Sequence, residues 1–500
     1  MDYPNVPLHE LMRRTVERYP DRTAIVFKDR RISFSEFDRE SNRLAHALAD
    51  LGLRQGERLG LFMPNCPEYE LAFYAASKLG AVPSPLNPAY KEREVIYQAN
   101  DAGICLLVTH ESVLAVVEAA NPELNTVRDV LVIDSPRWRD LLASQPDDPP
   151  DVDVSPDSLA ALPFSSGTTG LPKGVMLTHR NLVCNHIQFS IASQLGADDA
   201  YVVYMPLYHI YGVALMGLSM YSGAKQIVLE RFDLPEIVRL IQQEGCTWLY
   251  VVPPVLLALA NAPDLRPEQF RTIKFGFNAA APLAPEVARR VEDRLGFRII
   301  QAYGLTEASP CTHHSPLEPH RIKLESGGVP VADTEQRVVD LETGNRDLPP
   351  GEAGEILVRG PQVMQGYWNA PEETARALRD GWLYTGDVGY VDDQGYVFLV
   401  DRKKEMIKYK AFSVAPAELE GVLLEHPDVA DCGVTGVPDD EAGEVPKAFV
   451  VLRSGRAATA ADLAAFVGER VAGYKQIRQW AFVQSIPRTP SGKILRRMLR

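Results

Sequence analysis

The sequence predicts an α/β fold with a mostly parallel sheet, an antiparallel β subdomain and a compact C-terminal α/β unit. Three observations carry this. Short β-branched runs alternate with helical patterns through the first part of the chain. From about Gly327 the texture changes to short strands and turns, and after Val400 a charge-dense connector precedes a second α/β pattern. Taken in order, TAIVF (Thr23 to Phe27) reads as a strand, SFSEFDRESNRLAHALADLG as a helix, RLGLFM as a strand, and Pro67 to Leu79 as a helix. The alternation resumes with QIVLE (Gln226 to Glu230), a helix around LPEIVRLIQQEG, and WLYVV (Trp248 to Val252). QRVVD, GEILVRG and GYVFLV supply the antiparallel strands. Beyond DRKKEMIKYK, Pro416 opens a helix whose Leu419, Val422 and Leu423 share one face and whose end is marked by His426 and Pro427. The domain boundary is expected between Asp401 and Lys404, which gives domains 1–401 and 402–500, with the β subdomain at about 327–400.

Composition narrows the function. The chain has 500 residues, 46% apolar and 24% charged, ordinary values for a globular protein of about three folding units. Its 52 basic and 66 acidic side chains give a net charge of −14, which disfavours a nucleic-acid binder. Cys66, Cys105, Cys184, Cys246, Cys311 and Cys432 lie far apart, a pattern of reduced thiols in a cytoplasmic protein. The N-terminus is acidic and broken by prolines, unlike a secretory signal. No Asp, Glu, Lys or Arg occurs from Ala200 to Ala224, but Pro206, His209 and several tyrosines and glycines there fit a strand, loop and helix beside a ligand pocket, not a membrane span.

The most informative segment is FSSGTTGLPKGVMLTH, Phe164 to His179. Its glycines let backbone approach an anion closely, and its hydroxyls and amides can hydrogen-bond phosphate oxygens. Lys173 adds a compact positive charge. Gly174 follows Lys173 where a Walker P-loop requires Ser or Thr, so a kinase-like P-loop is disfavoured.

The string SSGTTGLPKG resembles the signature of the acyl-adenylate-forming superfamily, which comprises acyl- and aryl-CoA synthetases, peptide-synthetase adenylation domains and beetle luciferases. YGLTE (Tyr303 to Glu307), YTGD (Tyr384 to Asp387), DRKKEMIKYK (Asp401 to Lys410) and PRTPSGKILRR (Pro487 to Arg497) match in the expected order. MPLYHIYG, VPPVLLALA and GEVPKAFVV are closest to the 4-coumarate:CoA ligase-like and fatty-acyl-CoA synthetase branches. The resemblance covers essentially the whole chain. It implies a large N-terminal domain of two doubly wound βα lobes plus the β subdomain, and a small mobile C-terminal α+β domain. It also implies an ATP- and Mg²⁺-dependent carboxylate–CoA ligase. A carboxylate is a poor electrophile. Attack on the α-phosphate of ATP turns it into an acyl-AMP with a good leaving group, and what such a site supplies is alignment and positive charge.

By resemblance, Ser165, Ser166, Gly167, Thr168, Thr169, Gly170 and Lys173 hold the β- and γ-phosphates, Thr306 touches the α-phosphate and Glu307 binds Mg²⁺. Asp387 accepts the ribose hydroxyls with Arg402 beside it, while Ala280, Gln301, Ala302, Tyr303, Lys404 and Lys408 complete the nucleotide site. Lys493 bridges the acyl carboxylate and the α-phosphate. His209, Tyr211, Leu215, Ala279, Ala280 and Gly304 wall the acyl pocket, and Lys410, Ala411 and Phe412 border the CoA channel. The walls are apolar or small, so a hydrophobic acid is expected, arylpropenoic or medium- to long-chain fatty. No Asp between Tyr208 and Met220 is present to bind an α-ammonium, which argues against an amino-acid substrate. Two departures stand out: Ala411 where the family usually has Gly beside the pantetheine path, and Asn278–Ala279 for the more usual Ser-Gly, expected to tune the pocket. The alternative is a free-standing adenylating enzyme that loads a carrier protein. A luciferase-like oxygenase shares the adenylate. The partners implied are the acid, ATP and CoA, with no nucleic acid and no transmembrane segment; a homodimer is compatible.

Overall fold

The computed structural model describes residues 1–165, 172–281, 283–403, 405–410, 412–439, 442–489 and 492–499. The largest sheet among them runs Val329–Pro330, Cys311–His314, Arg298–Gly304, Phe275–Asn278, Trp248–Val251, Ala200–Val203, Lys225–Val228, Thr23–Phe27 and Arg30–Ser33 from edge to edge. Every pairing from Arg298–Gly304 to Thr23–Phe27 is parallel, and the pairings at both edges are antiparallel. A second, wholly parallel sheet orders Val82–Pro85, Arg58–Phe62, Ile104–Thr109 and Asp129–Val132. These sheets are the two βα lobes. Their central strands are buried on both faces, which is why they read as continuous apolar runs.

Local chemistry sets the element ends. Ser33 caps the helix Phe34–Asp50: its hydroxyl accepts from the Glu36 amide at 3.2 Å, and the Glu36 carboxylate accepts from the Ser33 amide at 2.8 Å. Asp233 and Pro235 open Leu234–Glu244, which ends on Gly245 at φ +65°. The strand expected to reach Val252 stops at Val251, because Val252 becomes the cap of a helix opened by Pro253 and Pro254.

The antiparallel texture after Gly327 forms the sheet Glu335–Val339, Gly354–Arg359, Trp382–Val391 and Leu378–Arg379, with Val397–Arg402 on Trp382–Val391. A further sheet begins at Ile407–Tyr409 and includes Phe412–Val414, Gly443–Leu452, Val429–Asp439 and Gln479–Phe482. With the helices Pro416–Leu424 and Ala460–Gly468 it makes the small α+β unit. That unit has its own apolar cluster around Ile407, Leu419, Leu423, Val434, Leu463 and Val467.

Candidate active site

A cavity of about 590 Å³ opens beyond the carboxyl ends of Phe275–Asn278 and Arg298–Gly304. Open α/β sheets place ligands at this end of their strands. Ser165, Lys173, His209, Tyr211, Ala279, Ala280, Ala302, Tyr303, Gly304, Thr306, Glu307, Arg402 and Lys493 all line it, drawn from six segments far apart in sequence.

On the anion side, Glu307 follows Gly304 in a short turn, Thr306–Ala308. Gly304 is required there, since a Cβ would lie 2.1 Å from the Pro310 carbonyl oxygen. Ser165 Oγ donates to Glu307 Oε1 at 3.1 Å and Tyr367 Oη donates to the same oxygen at 2.9 Å. Lys173 Nζ donates to Glu373 Oε2 at 2.6 Å and lies 5.6 Å from the Tyr367 ring centroid. Asp387 lies buried behind the wall, where Tyr303 Oη donates to Oδ2 at 2.7 Å and Arg402 Nε reaches Oδ1 at 2.9 Å. The antiparallel register pairs Asp387 directly with Arg402. Asp387 therefore pushes the Arg402 guanidinium further up and keeps it charged.

Lys493 reaches the cavity from the C-terminal unit on a tight loop. The Thr489 amide donates to the Lys493 carbonyl at 2.8 Å, and the Lys493 amide donates to Thr489 Oγ1 at 3.0 Å. Gly492, at φ +85°, lets this loop close against the large domain, because a Cβ there would meet Pro254 Cδ at 2.9 Å. Glu405 lies 4.0 Å from Lys493 Nζ and 3.0 Å from Arg496 Nε. Burial opposes ionisation of Glu405, but Lys493 and Arg496 outweigh it and hold its carboxyl below the usual range.

The part of the cavity expected to take the acyl group is walled by rings. Phe189 and Phe277 lie 5.0 Å apart between centroids, and Tyr211 lies 6.4 Å from Phe277 while donating its hydroxyl to the Phe277 carbonyl at 3.3 Å. Tyr250 backs both phenylalanines at 6.2 and 5.3 Å. His209 caps the helix Ile210–Ser222, its Nδ1 accepting from the Tyr211 amide at 3.2 Å. That bond puts the ring proton on Nε2. Burial pushes the imidazole down to about 4, so it is neutral at pH 7.

Several expected residues are not at the wall. Leu215 is fully buried one helical turn beyond Tyr211, where its carbonyl accepts from Tyr201 Oη at 2.6 Å. Gln301 pairs with Asn278, whose Nδ2 donates to Gln301 Oε1 at 3.1 Å, and Gln301 Nε2 donates to the Leu324 carbonyl. Lys408 and Lys410 do not line the cavity either. Ser166, Gly167, Thr168, Thr169, Gly170, Lys404, Ala411 and the Phe412 side chain lie outside the described residues. Conversely, Phe189, Phe277, Tyr367, Glu373 and Glu405 were missed. Tyr367 carried no signal in the sequence, because its strand, Gly366–Tyr367, pairs with the one that begins at Lys173 only in the fold.

Proteins of one family resemble the whole chain. Residues 12–368 match the model of the AMP-binding enzyme family, and 418–493 match that of the AMP-binding enzyme C-terminal domain. 4-Coumarate–CoA ligase 2 of Solanum tuberosum is 37% identical over 518 aligned positions, which cover 99% of this chain and 94% of the relative. 4-Coumarate–CoA ligase of Pinus taeda is 39% identical over 99% of this chain and 95% of its own length. Among solved structures, ATP-bound MatB from Rhodopseudomonas palustris superposes with a TM-score of 0.92 at 30% identity, covering 99% of this chain and 98% of that one. The anthranilate CoA ligase AuaEII in complex with anthranoyl-AMP superposes with a TM-score of 0.93 at 27% identity, covering 99% and 97%. The chain belongs to the AMP-binding enzyme family, the acyl-adenylate-forming superfamily, in its acid–CoA ligase branch.

Proposed function

We propose that this ATP-dependent ligase activates an arylpropenoic acid as its acyl-AMP and passes the acyl group to CoA. The observation that carries the reading is the slot walled by Phe189, Tyr211 and Phe277 in the same cavity as His209 and Lys493. Its far end is filled by tilted and edge-on rings, which suits a planar acid better than a long aliphatic chain. The names of the plant relatives support the same choice.

The acid is ionised at pH 7, so no general base is needed for the first step. Its carboxylate oxygen attacks the α-phosphorus, the α–β bridging bond breaks, and pyrophosphate leaves with the electron pair. Lys493 and Arg402 would offset the charge that builds on the phosphate, while Thr306 and neutral His209 would orient it and the acyl carboxylate. Ser165 and Lys173 would hold the β- and γ-phosphates. The donor set fits Mg²⁺, because a single carboxylate, Glu307, stands among hydroxyls where phosphate oxygens and water would complete the shell. The ion would neutralise phosphate charge there. In the second step the CoA sulfur attacks the acyl carbonyl, AMP departs, and the thiol proton passes to solvent.

One face cannot serve ATP with Lys493 and then CoA. We therefore take the C-terminal unit as a domain that rotates against the larger one, pivoting between the strand that ends at Arg402 and the one that begins at Ile407, so that Arg402 stays with Asp387. A pyrophosphate-release assay over arylpropenoic, benzoic and fatty acids, with and without CoA, tests the proposal. Arylpropenoic acids should give the highest kcat/KM, with thioester formed only when CoA is present. Highest turnover on a long-chain fatty acid would refute the substrate assignment.

A further inference from the structure

The cavity wall carries a charge that the adenylation chemistry does not need. Lys173 is the cation that ends the phosphate-loop segment, yet its Nζ donates to a carboxylate, Glu373 Oε2, at 2.6 Å. Arg376 Nη1 donates to the other oxygen, Glu373 Oε1, at 3.0 Å. Lys173, Glu373 and Arg376 all line the same cavity as Glu307 and Lys493. The pair is only partly open to solvent, with side chains 22% and 32% exposed, so its charges are incompletely screened. The hydrogen bond from Lys173 also holds the Glu373 carboxyl below its ordinary range, so it stays anionic at any working pH. A fixed anion on the lysine that meets polyphosphate both repels that ligand and competes for the donors it needs.

We propose that Glu373 is a positioning residue for Lys173 whose charge sets the site's hold on polyphosphate, weakening pyrophosphate binding and hastening its release. The inference rests on the reading that Lys173 holds the β- and γ-phosphates. Its advantage is kinetic: a site built from several cations risks retaining its leaving group, and product release limits many turnovers.

The test uses the full chain with Mg²⁺ and inorganic pyrophosphate as the probe, titrated calorimetrically and as a product inhibitor. Glu373→Gln should tighten pyrophosphate binding by about three- to fivefold, the scale of a partly exposed ion pair, and leave the KM for the acid unchanged. A merely structural role would weaken binding or leave it alone. Glu373→Asp, one methylene shorter, should move the same way by a smaller factor and serves if the Gln variant melts without cooperativity. Lys173→Met should weaken pyrophosphate binding, and in that background Glu373→Gln should tighten it much less. If Lys173→Met weakens binding but neither Glu373 variant tightens it, the proposal is wrong and the reading of Lys173 stands. If Lys173→Met changes nothing, the reading of Lys173 fails and the proposal falls with it.

Discussion

Removing the ammonium of Lys493 should separate the two half-reactions. The loop that carries it is held by backbone and Thr489: Thr489 N to the Lys493 carbonyl at 2.8 Å, Gly492 N to the Thr489 carbonyl at 2.8 Å, and Lys493 N to Thr489 Oγ1 at 3.0 Å. None of these uses the ammonium, so Lys493→Ala should keep the loop and the fold. Glu405, 4.0 Å from Nζ, retains Arg496 at 3.0 Å as its partner and is not left as a stranded charge. What is lost is one preorganised cation at a phosphate that gains charge. Removing such a group costs about 3–4 kcal/mol, roughly a hundred- to a thousandfold in rate. Adenylation is read by exchange of labelled pyrophosphate into ATP, and thioester formation by supplying synthetic acyl-AMP with CoA. Exchange should fall by that factor while the second step stays within about threefold of wild type. Equal loss in both assays, or a drop in exchange of less than about tenfold, would refute the assigned role of Lys493.

Three further outcomes follow from packing and charge. Gly492→Val sets a side chain against Pro254 Cδ, where even a Cβ would lie at 2.9 Å, and at φ +85°, so it should slow pyrophosphate exchange at least tenfold and spare the thioester step. Phe189→Ala should cost about 3–5 kcal/mol in urea unfolding and shift kcat/KM toward longer acids by opening the ring-walled end of the slot. His186 is fully buried against Gly217 with neither ring nitrogen hydrogen-bonded among the described residues, and burial pushes it down to about 4. Below its ordinary value of about 6.5 the unfolded chain takes up a proton that the native ring refuses, so wild-type stability falls as pH drops from there toward 4. His186→Leu should flatten that slope by up to about 1.4 kcal/mol per pH unit, measured by denaturant unfolding at pH 7 and pH 5.

Ser165, Thr306, Glu307 and Lys493 were singled out by the resemblance of their motifs and the joint order of those motifs along the chain, since each alone reads as an ordinary surface or turn residue, and the fold brings all four to one cavity. The alternation of strands and helices likewise exposed the parallel lobes, and the change at Gly327 exposed the antiparallel sheet. The acyl wall was less legible. The helix Ile210–Ser222 is apolar on every face, so periodicity could not show that the cavity ends before Leu215, where aromatic rings from other strands fill the space. Phe189 and Phe277 come from a helix and a strand that meet only in the fold. Gln301 was expected in the nucleotide site, but its amide pairs with Asn278 and the Leu324 carbonyl and does not line the cavity. Glu373 gave no signal, because either of the two acids in a surface-like helix of PEETARA is indistinguishable from a solvated charge.

The most direct measurement is a rapid-quench time course with an arylpropenoic acid such as 4-coumarate and ATP, with CoA added in a second mixing step. Before CoA, pyrophosphate and acyl-AMP should appear together in a burst equal to the enzyme concentration and then stop. On addition of CoA the adenylate should vanish as thioester and AMP form in equal amounts. Release of ADP, thioester without a preceding adenylate, or an adenylate that persists in the presence of CoA would contradict a ligase that works through acyl-AMP.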